Sequence, residues 1–411
     1  MQHVMNAVET EALQQPVEAL PGICWDTVVV GAGPAGSTAA YLLAKKGFRV
    51  LLLDRASFPR EKTCGDALIP DSIHALGRLG VLPEVRRLAR RVSEAVIFSP
   101  SQIEVPVRGE YLTLKRRTLD AVLARHAARS GATFCRGQVR GIEAEGGGPI
   151  RLAVEETDAP LKARFAVLAT GSDVTLLARL GMLTRPRPSA IALRSYVRSA
   201  VDLDRLIISY DRSITPGYAW IFPLGGGEYN VGCGVFYRKK DHERLNLREM
   251  FNRFLAEFPP ARGLMRNASS MTPLRGAPLR CSLSGAHVLG GNRVVAVGEA
   301  MGATFPLTGE GIGKAMETGE LAAAALEAAL ATGSHRKLHE LPWKVRTELL
   351  PRYVGYEIGE RWLCHSWLND FLAWRAHNSP LLQKLLEGII VERVDPRRLF
   401  SMRGILSSWW R

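Results

Sequence analysis

Residues 25 to 55 begin Trp-Asp-Thr-Val-Val-Val-Gly-Ala-Gly-Pro-Ala-Gly-Ser, pass through a helical stretch and end Arg-Val-Leu-Leu-Leu-Asp-Arg. An apolar run, a glycine turn, a helix and a second apolar run closed by an acid form a βαβ unit of the kind that holds a dinucleotide. Gly31 permits the tight exit from the first strand, Gly33 lets the backbone approach a pyrophosphate, and Gly36 lets the helix lie against the sheet. The helix predicted from Pro34 to Lys46 aims its first amides and the positive end of its dipole at that phosphate. Pro34 suits the first turn, where its missing N–H costs nothing. Asp54 follows the turn by about 20 residues, the spacing at which a carboxylate reaches a ribose hydroxyl. With Ala32, Ala35 and Arg55 these residues are the predicted contacts for FAD or NAD(P).

A chain of 411 residues with 46% hydrophobic content can bury a large core and divides into two domains or more. No apolar run approaches the ~20 residues that span a bilayer. Residues 1–24 are polar and mildly acidic, lack the apolar stretch of a signal peptide, and read as a flexible leader. Cys24, Cys64, Cys135, Cys233, Cys281 and Cys364 are scattered without Cys-x-x-Cys spacing. That pattern argues against a metal site or a disulfide framework and suits a cytoplasmic protein.

The net charge of +14 collects at Arg86, Arg87, Arg90 and Arg91, at Lys115 to Arg117, and near Arg397 and Arg398. No nucleic-acid motif accompanies it, so nucleic acid is excluded as a partner. Arginines on solvated helix faces account for most of the excess. The rest leaves open peripheral contact with an anionic membrane, or an acidic carrier or redox partner.

No internal repeat appears. After a Pro- and Gly-rich loop from Ser57 to Asp71, a helix is predicted from Ser72 to Leu79, and strands over Ala95–Phe98 and Tyr111–Leu114. Thr118 is the expected N-cap of a helix that runs to Ala128. Strands at Ile150–Val154 and Phe165–Ala169 return to the first sheet, whereas Ile191 to Val235 is mostly β and antiparallel in character. A strand at Arg293–Gly298 then leads through a second glycine-rich turn into a helix from Ile312 to Ala331. The last 70 residues or so are helical and aromatic, with Trp362, Trp367, Phe371 and Trp374, and close on Trp409, Trp410 and Arg411.

The turn from Gly298-Glu299 through Gly309, Glu310, Gly311, Ile312 and Gly313 carries a resemblance. A late strand, an acid at its end and glycines opening a helix look like FAD-dependent oxidoreductases of the para-hydroxybenzoate hydroxylase fold. In that fold the acid of a Gly-Asp motif meets the ribityl chain, which implies Glu299 here, one methylene longer. The amides of Gly311 to Gly313 would face a ring carbonyl that gathers negative charge. Two further stretches narrow the likeness. Phe58-Pro59-Arg60-Glu61-Lys62-Thr63-Cys64-Gly65-Asp66 resembles the Pro-Arg-x-Lys-x-Cys-Gly loop of geranylgeranyl reductase-like flavoproteins. Gly217-Tyr218-Ala219-Trp220-Ile221-Phe222-Pro223, followed by Asn230-Val231-Gly232, resembles their Gly-Tyr-x-Trp-x-Phe-Pro strand. Arg117 with Asp120 matches the helix start whose arginine approaches FAD in that group.

The resemblance, covering residues 25 to 330, implies an α/β fold: a discontinuous Rossmann-like FAD-binding domain, an inserted antiparallel substrate domain and a helical C-terminal region. The expected FAD-binding segments are 25–95, 116–180 and 281–335; the substrate segments are 96–115 and 181–280; the helical region is 336–411. FAD is the implied cofactor, with Cys64 and Gly65 beside it. Tyr218, Trp220 and Phe222 alternate along one strand, so they share a face that could hold an isoprenoid chain, or form ordinary core.

The implied activity is reduction of C=C bonds in a hydrophobic, isoprenoid or polyene-like substrate. Cys64 and Asp66 are the candidate catalytic residues. The alternative is a monooxygenase or halogenase acting on an aromatic or carrier-bound intermediate. The halogenase Trp-x-Trp-x-Ile-Pro signature is absent, and Tyr218 to Pro223 departs from it at two positions. Hydroxylases of the fold carry Asp-Gly after the Phe165–Ala169 strand, whereas this chain reads Thr170-Gly171. The electron donor is thus open between NADPH, a ferredoxin and a separate flavin reductase.

Overall fold

The β-branched run before Gly31 lies between parallel neighbours and is buried on both faces, as such runs are in parallel sheets. In the computed structural model, which describes residues 14–20, 22–144, 148–237 and 245–401, Cys24–Val30 pairs with Val50–Asp54 on one side and Leu161–Leu168 on the other. Thr133–Arg136 extends the parallel set beyond Val50–Asp54, and Val294–Ala296 beyond Leu161–Leu168. Helices Pro34–Lys45 and Ile312–Thr332 pack against each other over this sheet. Gly319 makes that possible, because a Cβ there would lie 2.5 Å from the Ala35 carbonyl oxygen.

The second sheet follows the order Ala268–Met271, Ala190–Ser199, Glu228–Phe236, Tyr218–Gly225, Leu206–Ser209, Arg90–Phe98, Glu104–Thr113 and Ala67–Leu68. It is antiparallel except where Leu206–Ser209 runs parallel to Arg90–Phe98. Its far face buries Phe251, Phe254 and Phe258 from the helical pair Leu247–Glu257 and Pro259–Arg266. The other face turns toward the first sheet. The C-terminal helices Leu350–Leu363, Ser366–His377 and Pro380–Ile390 close the side between the sheets, with Tyr353 and Tyr356 packed on Phe305 at ring separations of 4.4 and 4.3 Å.

Three expectations need correction. Residues 14–16 are not a free leader: Gln14–Pro16 pairs as an edge strand with Thr133–Arg136, and the Gln14 amide bonds Ala56 and Phe58 of the loop. Val17–Ala19 continues as a short 3-10 helix with Val17 buried, and Cys24 opens the Cys24–Val30 strand; residues 1–13 and 21 of that leader lie outside the described residues, as do Trp409, Trp410 and Arg411. Residues 90–95 and 67–68 belong to the second sheet, because their strands pair with Glu104–Thr113 and not with the nucleotide sheet. The helix expected from Thr118 starts at Arg116, with Lys115 at the N-cap position.

Candidate active site

A cavity of about 800 Å³ runs between the two sheets from the glycine turn to the C-terminal helices. At its polar end, Gly31 has φ +106°, a conformation that L side chains rarely adopt. A Cβ on Gly31 would collide with the Ala169 carbonyl, and one on Gly36 with the Gly31 carbonyl. Gly33 differs. The nearest side-chain atoms to its open face are the guanidinium nitrogens of Arg60 at 3.6 Å and Arg116 at 3.9 Å. A bare backbone at a helix N-terminus with two guanidiniums above it is a cradle for a diphosphate.

Asp54 fixes the edge of this cradle. It accepts hydrogen bonds from the Ala32 amide at 2.9 Å, the Ala56 amide at 3.0 Å and Arg60 Nε at 3.2 Å. Arg116 makes a bidentate pair with buried Asp120 at 2.7 and 2.9 Å, and Arg60 Nη1 shares the same carboxylate at 3.0 Å. Arg60 and Arg116 are thus shared between Asp54 and Asp120, which fixes both guanidiniums at the cavity wall beside Gly33. Arg117, the arginine expected here, is exposed and does not line the cavity. The earlier helix start explains this, since one residue is a turn of about 100° around a helix. The i,i+4 pairing of Arg116 with Asp120 is the signal in the sequence that distinguishes them.

The Cys64 loop and the Trp220 strand meet in the middle of the cavity. Asn230 staples them, donating to the Cys64 carbonyl at 2.8 Å and Asp66 at 2.7 Å while accepting from Trp220 Nε1 at 2.9 Å. Gly65 lies beneath the Trp220 and Phe222 rings, where a Cβ would fall 3.2 Å from Phe222. Desolvation pushes the Cys64 thiol above its usual pKa, against the pull of the Arg116 guanidinium, so the thiol stays protonated at neutral pH.

Asp66 lines the cavity and is tied into its surroundings by both oxygens. Its Oδ1 takes the Arg116 amide at 3.0 Å and caps that helix from outside. Its Oδ2 takes Tyr196 at 2.8 Å as well as Asn230. A buried carboxylate with three donors, at φ +65°, ties the loop to Arg116, Tyr196 and Asn230 while still lining the cavity.

Tyr218, Trp220 and Phe222 form a ladder with ring separations of 6.0 and 6.2 Å, and all three line the cavity. Tyr210, Ile97 and Ile208 continue this wall. Leu363, Leu386, Ile389, Ile390 and Phe400 close it from the C-terminal region. Those C-terminal contributions carried no motif; the aromatic load of the segment was their one trace in the sequence. At the far turn, Glu299, Gly309, Gly311 and Ile312 line the cavity, and Lys62 Nζ stands 3.8 Å from Glu299. The Gly313 amide is not available to a ligand, because Glu310 Oε1 accepts it at 2.7 Å. The amides of Gly311 and Ile312 have no acceptor among the described residues. Glu310 and Arg60, like Arg116, were not singled out from the sequence.

Known proteins share this arrangement. A family described as FAD binding domain matches residues 25–341. Menaquinone reductase of Mycolicibacterium smegmatis is 32% identical over 72% of this chain and 75% of its own length. Digeranylgeranylglycerophospholipid reductase 2 of Methanothermobacter thermautotrophicus is 31% identical over 78% of this chain and 83% of its own. Among solved structures, a geranylgeranyl bacteriochlorophyll reductase-like protein of Thermoplasma acidophilum has the same fold, with TM-score 0.73, 23% identity, and coverage of 94% of this chain and 95% of that one. A flavin-dependent brominase shares the fold at TM-score 0.75 and 17% identity, over 95% of this chain and 100% of its own. The family match spans the glycine turn, the Cys64 loop, the Trp220 strand and the Glu299 turn together, and the chain belongs to the FAD-dependent oxidoreductases that include the menaquinone and digeranylgeranylglycerophospholipid reductases.

Proposed function

We propose that this protein reduces C=C bonds in a long apolar, prenyl-bearing substrate, with FAD as the hydride carrier. The observation that carries this reading is the shape of the cavity between the two sheets: charged and backbone-lined at the Gly33 end, aromatic and aliphatic from Tyr218 to Ile390. The relatives' names point the same way, toward prenylated quinones and lipids. Arg60, Arg116 and the Gly31–Gly36 turn would hold the pyrophosphate, Asp54 the adenosine ribose, Glu299 the ribityl chain, and the Gly309–Ile312 turn the ring. The bound cofactor supplies a hydride at one face of the alkene.

An unactivated double bond develops no oxyanion for the protein to stabilise. The chain's own contribution is therefore orientation and a proton. The Tyr218–Trp220–Phe222 ladder aligns the alkene, and its rings keep water away from the reacting carbon. Cys64 stays protonated beside Arg116, so its Sγ–H is a proton held at the cavity wall until the alkene carbon takes it.

The substrate class suggests where the protein works. No described helix is long and apolar enough to cross a membrane. Trp367 and Trp374 stand seven residues apart on one helix face, 72% and 49% exposed, beside the helices that close the cavity. Paired with a net charge of +14, they support peripheral docking on an anionic bilayer from the cytoplasmic side. Six free cysteines suit that reducing compartment.

Anaerobic incubation of the reduced holoenzyme with prenylated quinone or lipid in anionic vesicles tests the proposal. The product should be heavier by two hydrogens. Unchanged substrate across prenyl compounds, with substrate-dependent oxygen consumption in air, would favour the oxygenase alternative instead.

A further inference from the structure

Behind the turn that opens the Ile312–Thr332 helix lies a group of buried charges with too few cations. Lys314 is 1% exposed at its side chain and contacts Asp71 at 3.2 Å, Glu317 at 2.8 Å and Glu392 at 2.8 Å. Arg352 pairs with Glu317 and reaches Glu392 at 3.5 Å. With Glu310, four carboxylates thus face Lys314 and Arg352 from four separate segments of chain; Arg78, which also faces Asp71 and Glu317, is matched by its own bidentate partner Glu320 at 3.0 and 2.9 Å. The phenols of Tyr353, Tyr356 and Tyr218 border the group and supply no charge at neutral pH.

Two negative charges without partners are costly in a buried site unless protons neutralise them. Glu317 is held ionised by Lys314 and Arg352, so the excess falls on Glu310 and Glu392. Their geometry shows it. Asp71 Oδ2 and Glu392 Oε1 are buried with no hydrogen-bond partner. Glu310 is 7% exposed and lines the cavity; Oε1 is taken by the Gly313 amide, and Oε2 has no partner among the described residues. Burial, reinforced by the Asp71 carboxylate, pushes Glu310 up to about 8 and Glu392 up to about 7. Glu317 and Arg352, at the outer end, are 22% and 36% exposed and connect the group to solvent.

We propose that Glu310 and the buried acids behind it form a redox-linked proton site for the flavin, taking up a proton when the ring at the Gly309–Ile312 turn gains negative charge. The balance is simple. Two electrons from a donor and one proton reduce the ring and leave one negative charge on it. A second proton, from solvent, forms an O–H bond on Glu310 or Glu392, and no other bond changes. Reoxidation releases that proton beside the cavity. The inference rests on the placement of the ring proposed above and is independent of the substrate.

The test is electrochemical reduction of the holoenzyme in weak buffer with a pH-indicator dye, comparing wild type, E310Q and E392Q. A glutamine at 310 keeps an acceptor for the Gly313 amide but cannot titrate. On the mildly alkaline side, wild type should take up about one proton more per flavin than E310Q, with E392Q between them. Equal uptake in all three overturns the proposal. Should E310Q fail to retain FAD, E392Q decides: uptake equal to wild type overturns it. The absorption of the oxidised flavin separates the two premises. A spectrum that shifts with pH in wild type and not in E310Q places the ring beside Glu310. If it does so while uptake is equal, the proton site fails and the ring placement stands; if no variant alters the spectrum, the placement itself has failed.

Discussion

The two ends of the cavity are built on opposite plans. The backbone of the Gly33 end comes from one continuous βαβ unit, to which Arg60 and Arg116 are added from outside, and its decisive features are a positive φ at Gly31, an open face at Gly33, and amides held by Asp54. The Trp220 end is assembled from the Cys64 loop, two strands of the second sheet, the Glu299–Ile312 turn and the C-terminal helices. Its decisive features are side chains, joined by polar contacts at Asn230 and at Tyr218, whose hydroxyl donates to the Thr308 carbonyl. The backbone-built site has no room for a Cβ at Gly31 or Gly36, whereas a side-chain-built site can be reshaped one residue at a time. The first therefore suits an invariant cofactor and the second a variable substrate.

The largest effect should come from adding a single methyl group at the backbone-built end. Gly36→Ala places a Cβ inside the Gly31 carbonyl, and purified protein should carry almost no flavin by its visible absorbance. Full flavin content in that variant would break the contrast. Next comes the arginine pair. Arg116→Met leaves buried Asp120 one cation short and should weaken FAD binding ~10-fold or more, from a loss of about 1.5–3 kcal/mol typical of hydrogen bonds to charged groups. Arg117→Met should leave FAD affinity unchanged, since that side chain is exposed. Fluorescence titration of apoprotein with FAD measures both.

At the other end, Trp220→Ala should retain FAD while raising KM for a prenyl substrate ~10-fold or more, in line with about 1.5–3 kcal/mol for one large apolar side chain. Loss of flavin in this variant would show that the two ends are not separable. The smallest expected effect is on stability against pH. The folded-state pKa of Glu310 is raised, so the native state binds more protons than the unfolded chain and wild type loses stability as pH rises from the ordinary carboxylate range toward about 8. E310Q should flatten that slope. Urea unfolding of the flavin-free protein across this range reads the difference, and parallel slopes would refute it.

The same contrast explains what the sequence made legible. The Gly31–Asp54 unit is local: period, turn and terminal acid lie within one short stretch, and the observed helix ends within a residue of the predicted one. The Trp220 ladder was readable because alternation along a strand needs no partner. What failed depends on register or on distant contacts. Arg116 and Arg117 differ by one position, and only the outside cap from Asp66 on the Arg116 amide sets the helix start. The bonds that tie Asp66 to residues 116, 196 and 230 are equally invisible to any local window. The Glu310 group joins side chains up to 321 residues apart, from Asp71 to Glu392, and no window along the chain contains it.

The central claim is that one cavity holds FAD and a prenyl alkene in contact. Titrating photoreduced holoenzyme with a prenyl substrate under strict anaerobiosis, while following flavin absorbance, tests this most directly. The account predicts stoichiometric return of the oxidised flavin band in wild type and a large loss of that rate in Trp220→Ala. A flavin that stays bleached with every prenyl substrate and recovers only when oxygen is admitted would contradict it.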